Sequence, residues 1–311
     1  MAGAELDALE RALSPALRCE QDVPAATLTT WRVGGPIALV VHCASVGDVE
    51  AVGKALGPSL PVLTIGRGSN LLLADAGFAG VGIVLEGDLE SLSIPAAGSP
   101  AVADVVAGGA VALPVLARQA AAAGWSGLEF YVGIPGSVGG AVRMNAGGHG
   151  HETLEVLRRA EVVTLDGAIT STRWRPVDTL DLSYRHSSIG SREVVVGAAF
   201  AVAAGDPADC VARMDEIVRW RRANQPGGAN AGSVFSNPPG DSAGRLIDAA
   251  GLKGTRVGGA SVSEKHANFI QTQPGATAAD VHALIELVRR RVADGSGVVL
   301  APEVRIIGFD H

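Results

Sequence analysis

The sequence predicts an α+β fold built in several parts. Short apolar runs rich in β-branched residues, at 60–65 and 81–85, are typical of strands. Other segments repeat apolar residues three and four positions apart, as amphipathic helices do. The composition agrees, because a chain of 311 residues with 47% hydrophobic residues and 41 glycines is long and apolar enough for a large core.

The first part is predicted as a small βαββ unit that ends near residue 88. An amphipathic helix precedes it, with one apolar face formed by Leu6, Leu9, Leu13 and Leu17. The unit itself has four elements in chain order: a strand near 39–41, a helix over 46–56, and the strands at 60–65 and 81–85.

The second part, 89–205, is predicted to be rich in strands. The strand candidates are 102–107, 161–165 and 193–202. One helix interrupts them. It runs from Pro114, a residue favoured in first turns, to Gly124, a residue that favours a helix end.

The third part, 206–300, is predicted to carry three helices around a loop rich in glycine, asparagine and proline. Two helices span 208–222 and 242–251, and the loop spans 225–241. The last helix is predicted to be capped by Asp280 and to bury one face, formed by Val281, Leu284, Ile285, Val288 and Val292. A terminal strand over 302–309 is expected to return to an earlier sheet.

Charge and composition exclude several classes of function. A net charge of −7 and a pI near 5.5 argue against a nucleic-acid partner, and the short basic cluster at 219–222 is typical of a solvated helix face. No apolar run reaches the roughly 18 residues that span a bilayer, and no signal peptide is evident. We therefore expect no membrane partner and a cytosolic protein.

The cysteines and histidines predict neither a disulfide framework nor a metal site. Cys19, Cys43 and Cys210 are widely spaced with no C-x-x-C pair, which fits a reducing cytoplasm. His149 and His151 lack the spacing of known zinc motifs, and no third ligand stands nearby.

Two glycine-rich segments dominate the chain and are predicted to form two walls of one phosphate-binding cleft. Glycine lets backbone N–H groups approach an anion closely, so a dinucleotide pyrophosphate is the natural occupant. The first candidate set is Gly66, Arg67, Gly68, Ser69, Asn70 and Leu71. The second is Ile134, Pro135, Gly136, Ser137, Gly139, Gly140, Asn145, Ala146 and Gly147.

The first glycine segment is not a Rossmann fingerprint. Leu71 stands where the third glycine would be, and no helical pattern follows it. A P-loop is excluded as well, because the segment around Lys54 has the wrong spacing and no Ser or Thr for Mg²⁺. A different flavin or nucleotide fold is favoured.

Four further segments carry residues suited to chemistry, and each also has a structural interpretation. Arg185, within 183–188, can clamp a carboxylate or form a surface salt bridge in a turn. Ser233 can donate a proton or serve as a turn hydroxyl. The remaining segments contain His266 with Asn268, and Glu303, which by themselves are typical of a structural histidine and a strand-end charge.

Taken in order, the segments resemble the UDP-N-acetylenolpyruvoylglucosamine reductase (MurB) family over about residues 28–308. The resemblance is carried by Thr30-Trp31-Arg32-Val33-Gly34-Gly35, the two glycine segments, Tyr184-Arg185, Gly232-Ser233-Val234-Phe235, Ala250-Gly251-Leu252-Lys253-Gly254, His266-Ala267-Asn268-Phe269 and Pro302-Glu303-Val304-Arg305.

The resemblance implies a two-part FAD-binding domain of the PCMH/MurB-like kind and a C-terminal α/β substrate domain. The implied FAD-binding subdomains are 1–88 and 89–205, the substrate-binding domain is 206–300, and 301–311 returns to the FAD-binding part. The implied cofactors are noncovalent FAD and NADPH as reductant, and the implied reaction converts UDP-N-acetylglucosamine enolpyruvate to UDP-N-acetylmuramate for peptidoglycan. The implied partner is a UDP-sugar, with no obligate protein partner.

The resemblance also assigns roles to residues. Arg185, Ser233 and Glu303 take the catalytic positions, Tyr184 and Asn237 take substrate positions, and the two glycine segments contact FAD. Ser236 and the Gly148-His149-Gly150 triplet depart from the common family pattern, and the chain resembles the shorter subclass that lacks a tyrosine loop.

Two other functions stay open from the sequence. One is an FAD-dependent oxidoreductase of the same superfamily that acts on another small molecule. The other is a nucleotide-sugar-binding protein without reductase activity.

Overall fold

A computed structural model describes residues 2–96 and 101–309. The chain divides into two compact units, each interleaved along the sequence. The first unit comprises Met1–Gln21, Leu39–Arg67 and Gly80–Trp220, and the second comprises Asp22–Ala38, Gly68–Ala79 and Arg221–His311. The mixture of helices and sheets confirms the predicted α+β class, whereas the three-part domain division stays a prediction.

The elements follow one another in a mixed order. The helices are α1 (Ala2–Leu13), α2 (Val46–Ala55), α3 (Leu113–Ala122), α4 (Val138–Met144), α5 (Thr153–Val156), α6 (Pro207–Asn224), α7 (Ala243–Ala249) and α8 (Ala278–Ser296). The strands are β1 (Arg18–Pro24), β2 (Pro36–Cys43), β3 (Val62–Ile65), β4 (Leu71–Leu73), β5 (Phe78–Leu85), β6 (Leu92–Ser93), β7 (Val102–Gly108), β8 (Trp125–Ser126), β9 (Gly147–Gly148), β10 (His151–Glu152), β11 (Leu157–Thr164), β12 (Ser171–Pro176), β13 (Glu193–Ala204), β14 (Arg256–Val257), β15 (Ala260–Val262), β16 (Ile270–Thr272) and β17 (Arg305–Ile307).

The first unit holds a six-stranded antiparallel sheet and most of a four-stranded sheet. The larger sheet has the order β12-β11-β13-β7-β6, with β8 added beside β13. Its central strand β13 buries seven consecutive residues from Val194 to Phe200, because the sheet is covered on both faces there. The smaller sheet has the order β1-β2-β5-β3, and its β3 and β5 run parallel.

The second unit packs α7 and α8 with short strands around its own apolar core. Trp31 is fully buried there and donates its indole N–H to the carbonyl of Ile270 at 2.8 Å. β14, β15 and β16 form a three-stranded antiparallel sheet. The terminal strand β17 pairs in parallel with β4, as the expected return to an earlier strand requires.

The cap predicted for the last helix is wrong by three residues. Thr277 is the N-cap of α8, and its hydroxyl accepts the N–H of Asp280, whose carboxylate in turn accepts the N–H of Thr277. This reciprocal pair is a capping box, in which the acidic residue stands three positions after the cap. Asp75 adds a second carboxylate, which accepts the N–H groups of Ala278 and Ala279 at 2.9 and 2.8 Å.

Other predicted elements differ at their ends. The terminal strand covers only Arg305–Ile307, and residues 310 and 311 of the predicted segment 301–311 lie outside the described residues. The strand predicted at 161–165 begins four residues earlier, as β11. The second glycine segment, predicted as a loop, contains the short helix α4. None of the helices in the described ranges combines the length and apolar character that crossing a bilayer requires.

Candidate active site

The first unit contains a cavity of about 270 Å³, here called the glycine cleft. It lies at the carboxyl ends of the parallel strands β3 and β5, where open sheets commonly bind ligands. Its lining residues are Thr64, Ile65, Gly66, Arg67, Val84, Leu85, Glu86, Glu90, Gly109, Ala110, Ser137, Gly139, Gly140, Arg143, Ile189, Glu193 and Val195. Gly66 and Arg67 of the first glycine segment and Ser137, Gly139 and Gly140 of the second line it. That this cleft binds a phosphate stays a prediction.

Close backbone packing at the cleft requires glycine at two positions. A Cβ atom on Gly66 would lie 2.5 Å from the Ser137 hydroxyl oxygen. A Cβ on Gly139 would lie 2.9 Å from the carbonyl oxygen of Val195. A side chain at Gly139 would therefore push the neighbouring backbone away, and one at Gly66 would displace the Ser137 side chain.

Ser137 joins the two walls and also starts α4. Its hydroxyl oxygen accepts the N–H of Gly140 at 3.3 Å, which is the usual N-cap contact of serine. The same side chain is the group nearest to a Cβ built on Gly66. The serine is thus used as a structural cap, while the adjacent backbone of Gly139 and Gly140 lines the cleft.

The charged residues of the cleft are held by neighbouring groups. Arg143 donates to the carbonyl oxygens of Ile189 and Gly190 at 2.8 and 2.6 Å. Glu193 accepts the N–H of Gly190 at 2.7 Å and pairs with Arg175 at 3.1 Å. These contacts fix the outer rim of the cleft.

Arg185 lies in a tight turn of the first unit, and the choice between its two interpretations stays open. Ser183 and His186 bridge across the turn, and Arg185 itself has φ +56°, a left-handed conformation. Its guanidinium donates to the carbonyl oxygens of Asn145 and Gly147 at 3.5 and 3.3 Å. The guanidinium carbon also lies 5.0 Å from the centre of the Tyr184 ring.

Asn145 connects the second glycine segment to this turn. The residue is fully buried and ends α4 in the left-handed conformation, with φ 41°. Its amide nitrogen donates to the carbonyl of Ser183 at 3.0 Å and to Glu152 at 2.9 Å, while its amide oxygen accepts the N–H of Leu154. The Asn145 side chain therefore supports the turn that carries Arg185.

Ser233 and Glu303 lie on adjacent segments of the second unit. The N–H of Glu303 donates to the carbonyl of Val234 at 2.8 Å, and the next residues, Phe235 and Pro302, form a β-bridge. Asn70, from the first glycine segment, donates its amide to the carbonyl of Glu303 at 3.3 Å. The structure thus brings three predicted site residues onto one short ladder.

Asn268 holds the segment that carries Ser233. Its side chain is buried and makes two hydrogen bonds to one residue: the amide oxygen accepts the N–H of Phe235 at 2.9 Å, and the amide nitrogen donates to the carbonyl of Phe235 at 2.8 Å. Its own carbonyl accepts the N–H of Val234 at 2.9 Å. These three bonds fix the backbone of Val234 and Phe235, the two residues that follow Ser233.

His266 is placed as a structural residue. Burial, together with the nearby charge of Lys253, lowers the pKa of His266. Its Nδ1 lies 3.3 Å from the N–H of Asn268, and its ring packs edge-on against Phe269. The imidazole supports the Asn268 segment.

The remaining predicted site residues lie in several places. Gly68 and Leu71 belong to the second unit, where Gly68 accepts the N–H of Thr30 at 3.2 Å and Leu71 pairs with Arg305. Asn237, predicted to contact substrate, accepts the N–H of Ala243 at 3.1 Å. The FAD contacts predicted for the other members of the two glycine segments stay predictions; these residues are Ser69, Ile134, Pro135, Gly136, Ala146 and Gly147.

Most lining residues of the cleft lie outside the predicted sets, and Gly109 and Thr64 are two examples. Gly109 follows a predicted strand, and a Cβ there would lie 2.2 Å from the carbonyl oxygen of Val195, so its position after β7 was a usable signal. Thr64 stands inside an apolar strand, where a threonine is ordinary. No sequence pattern distinguishes it.

The fold and the cleft place the chain in a recognised class. A sequence profile described as "FAD binding domain" matches residues 36–173. A second profile, described as "UDP-N-acetylenolpyruvoylglucosamine reductase, C-terminal domain", matches residues 224–307. Together they define a flavin-dependent oxidoreductase with a separate C-terminal domain.

Individual relatives narrow the class to one family. The chain is 45% identical to the UDP-N-acetylenolpyruvoylglucosamine reductase of Acidiphilium cryptum over 289 residues, which cover 93% of this chain and 91% of the relative. It is 43% identical to the corresponding protein of Alkalilimnicola ehrlichii, over 92% of this chain and 93% of the relative. The chain belongs to the UDP-N-acetylenolpyruvoylglucosamine reductase family.

A solved structure of the family agrees. The crystal structure of UDP-N-acetylenolpyruvylglucosamine reductase (MurB) from Thermus caldophilus superimposes with a TM-score of 0.80 at 34% identity. The match covers 94% of this chain and all of that chain. The whole fold, and not only the flavin-binding part, is therefore shared.

Proposed function

We propose that this chain reduces UDP-N-acetylglucosamine enolpyruvate to UDP-N-acetylmuramate, with NADPH as reductant and noncovalent FAD as cofactor. The observation that carries the proposal is family membership over nearly the whole chain. The family resemblance implies catalytic roles for Arg185, Ser233 and Glu303. The product is a precursor of peptidoglycan. An oxidoreductase for another small molecule is not favoured, because both the FAD-binding and the C-terminal domains match.

The glycine cleft fits part of a dinucleotide. A Cβ at Gly66 would meet the Ser137 hydroxyl and one at Gly139 would meet the Val195 carbonyl. Thr64, whose buried hydroxyl has no partner among the described residues, is one of the lining residues. Backbone of Gly66, Arg67, Gly139 and Gly140 would hold the cofactor there. The segment 66–72 contains no cysteine or histidine for a covalent flavin bond.

FAD, when bound, supplies the hydride chemistry between NADPH and the enolpyruvyl carbon remote from the carboxylate. Negative charge then grows on the substrate carboxylate, and the Arg185 guanidinium stabilises it. The Ser233 hydroxyl donates a proton to the carbon that bears the carboxylate, and Glu303 assists by hydrogen bonding. Hydride and proton together saturate the double bond.

The support for Arg185 is its fixed orientation. Two backbone carbonyl oxygens and the Tyr184 ring hold the guanidinium, so less freedom is lost when it meets a carboxylate. We assign Tyr184 and Asn237 to the substrate, as the family resemblance implies. We also propose the domain bounds 1–88, 89–205 and 206–300, with 301–311 returning to the FAD-binding part.

We further infer a cytoplasmic site of action and small-molecule partners only. The proposed substrate and NADPH are highly charged, and such molecules do not cross a bilayer unaided. No protein partner is needed for the proposed reaction.

The test is to measure NADPH oxidation by the purified yellow protein with and without UDP-N-acetylglucosamine enolpyruvate. We expect oxidation that depends on the enolpyruvyl substrate. Oxidation that ignores this substrate would favour an oxidoreductase with another acceptor. A colourless protein that binds the UDP-sugar would favour a binding protein without reductase activity.

A further inference from the structure

Thr64 lies at the carboxyl end of β3 and lines the glycine cleft. β3 pairs in parallel with β5, and Thr64 stands opposite Ile83 in the register. Residues at the end of β5, Val84 and Leu85, line the same cavity. The threonine is therefore at the strand ends where ligands of parallel sheets bind.

The Thr64 hydroxyl oxygen is buried and has no hydrogen-bond partner. Within residues 2–96 and 101–309 it is the one buried side-chain nitrogen or oxygen atom without a hydrogen-bond partner. Burying a hydroxyl without a hydrogen bond is unfavourable, whereas a partner of good geometry restores the lost interaction. Valine has nearly the same shape and would avoid this cost.

The position of the hydroxyl gives it a function. It lies two residues before Gly66, in the wall whose close approach to Ser137 requires glycine. The neighbouring lining residues include charged groups, among them Arg67, Glu86 and Glu90, and Thr64 is a small neutral polar residue beside them. A dinucleotide offers many matching partners, in its phosphate oxygens, its hydroxyls and its ring nitrogens and oxygens.

We propose that the Thr64 hydroxyl is a hydrogen-bonding contact to FAD, and that it gains its partner when FAD occupies the glycine cleft. The inference rests on the proposed FAD-dependent function and adds to it a cofactor contact outside the two glycine segments. A hydroxyl can donate or accept, so the contact needs no change in protonation.

The proposal predicts effects of opposite sign in the free and bound protein. Thr64→Val removes an unsatisfied group from the apoprotein, which should hold or raise its melting temperature. The same change removes a hydrogen bond from the FAD complex, which should weaken FAD binding. A threonine that only packs against its neighbours would not give this combination.

The experiment titrates FAD into apoprotein prepared from the purified holoenzyme, following flavin fluorescence. We expect Thr64→Val to raise the Kd for FAD about tenfold, the size of one hydrogen bond. Thr64→Ser keeps the hydroxyl and should stay within about threefold of the wild type. The matched control is Thr172→Val, which removes a hydroxyl that donates to Glu50 at 2.5 Å. Neither residue lines the cleft, so this change should leave the Kd for FAD unchanged.

Other results of these experiments would contradict the proposed hydrogen bond between Thr64 and FAD. An unchanged Kd in Thr64→Val, or an equal loss in Thr64→Ser, shows that the hydroxyl does not bind FAD. A lower melting temperature of the Thr64→Val apoprotein shows that the hydroxyl is bonded within the protein. Wild-type protein that binds no FAD at all would refute the proposed function as well, so the two failures are distinguishable.

Discussion

Arg185 is held in a turn that the second glycine segment supports. Asn145 supports the turn from inside the first unit, and the guanidinium donates to the carbonyls of Asn145 and Gly147. A planar guanidinium makes two parallel contacts with a carboxylate, whereas an ammonium group is a point charge. The shape of the side chain, and not only its charge, should therefore matter.

We expect Arg185→Lys to keep FAD and fold normally but to lose turnover by more than it loses substrate affinity. The positive charge remains, so binding of the anionic substrate is partly retained, whereas stabilisation of the developing charge is lost. Steady-state kinetics and the visible flavin spectrum measure both effects. A colourless protein, or a raised KM at unchanged kcat, would contradict this role for Arg185.

Ser233→Ala should slow one half-reaction and spare the other. The proposed proton transfer belongs to reduction of the enolpyruvyl substrate, so flavin reduction by NADPH should stay nearly intact. Loss of a general acid typically costs about 10²- to 10⁴-fold in rate. Stopped-flow measurement of each half-reaction separates the two, and equal slowing of both would identify a structural serine.

The sequence provides candidates for the residues that carry chemistry but does not show how they are supported. Arg185, Ser233 and Glu303 were reached through motifs, because the reaction demands their chemical types. Asn145 bonds Ser183, 38 residues away, and Asn268 bonds Phe235, 33 residues away, and only the folded chain brings these residues together. Thr64 could not be found from the sequence at all, because only the folded structure shows that its buried hydroxyl has no hydrogen-bond partner.

At the scale of the elements, the long periodic segments were predictable and the short ones were not. The apolar face of α8, from Val281 to Val292, is buried as its spacing predicts. β4, β14 and β17 have two or three residues each, and strands this short are defined by their partners and not by local propensity. The sequence contains both residues of the capping box, Thr277 and Asp280. The acidic residue by itself indicates a cap at Asp280, whereas the pair places the cap at Thr277.

The turn after β8 is tied to α6 by a buried carboxylate. Glu129 is only 8% exposed and pairs with Arg213 at 2.6 Å. Burial would raise the pKa of Glu129, but hydrogen bonds from Cys210, Arg213 and backbone N–H groups outweigh it and lower the pKa to about 2. The ionised form is therefore bound more tightly in the folded than in the unfolded chain.

This lowered pKa predicts a pH-dependent stability. The contribution is fully present above the ordinary value of 4.5 and is lost as the pH falls from there towards about 2. We expect Glu129→Gln to lower the free energy of unfolding at pH 7 by up to about 3 kcal/mol, with a smaller difference near pH 3. Urea unfolding at both pH values measures it.

Glu161→Gln is the matched control with the opposite sign. Burial raises the pKa of Glu161, so its ionised form weakens the folded state at neutral pH. The substitution should stabilise the protein at pH 7 and have little effect in acid. A Glu129→Gln effect that does not change with pH would show that shape, and not charge, explains the contribution of Glu129.

At the scale of the whole molecule, two compact units divide the site residues between them. The glycine cleft and Arg185 belong to the first unit, and Ser233 with Glu303 belongs to the second. Each unit interleaves segments from distant parts of the chain, because β4 and the segment with Trp31 fold with the C-terminal residues. Division by chain order alone could not show this interleaving.

We expect the protein to purify with noncovalent FAD that acid precipitation releases into the supernatant. We propose that the glycine cleft binds FAD through backbone and hydroxyl groups, and the segment 66–72 offers no cysteine or histidine for a flavin bond. A ligand that binds only the folded chain stabilises it by mass action, by about 2.7 kcal/mol at a concentration 100 times its Kd. The melting temperature of the apoprotein should therefore rise with added FAD and continue to rise well above the Kd. Yellow colour that stays in the acid pellet, or a melting temperature that ignores added FAD, would contradict reversible binding, and the first of these results would point to a covalent bond elsewhere in the chain.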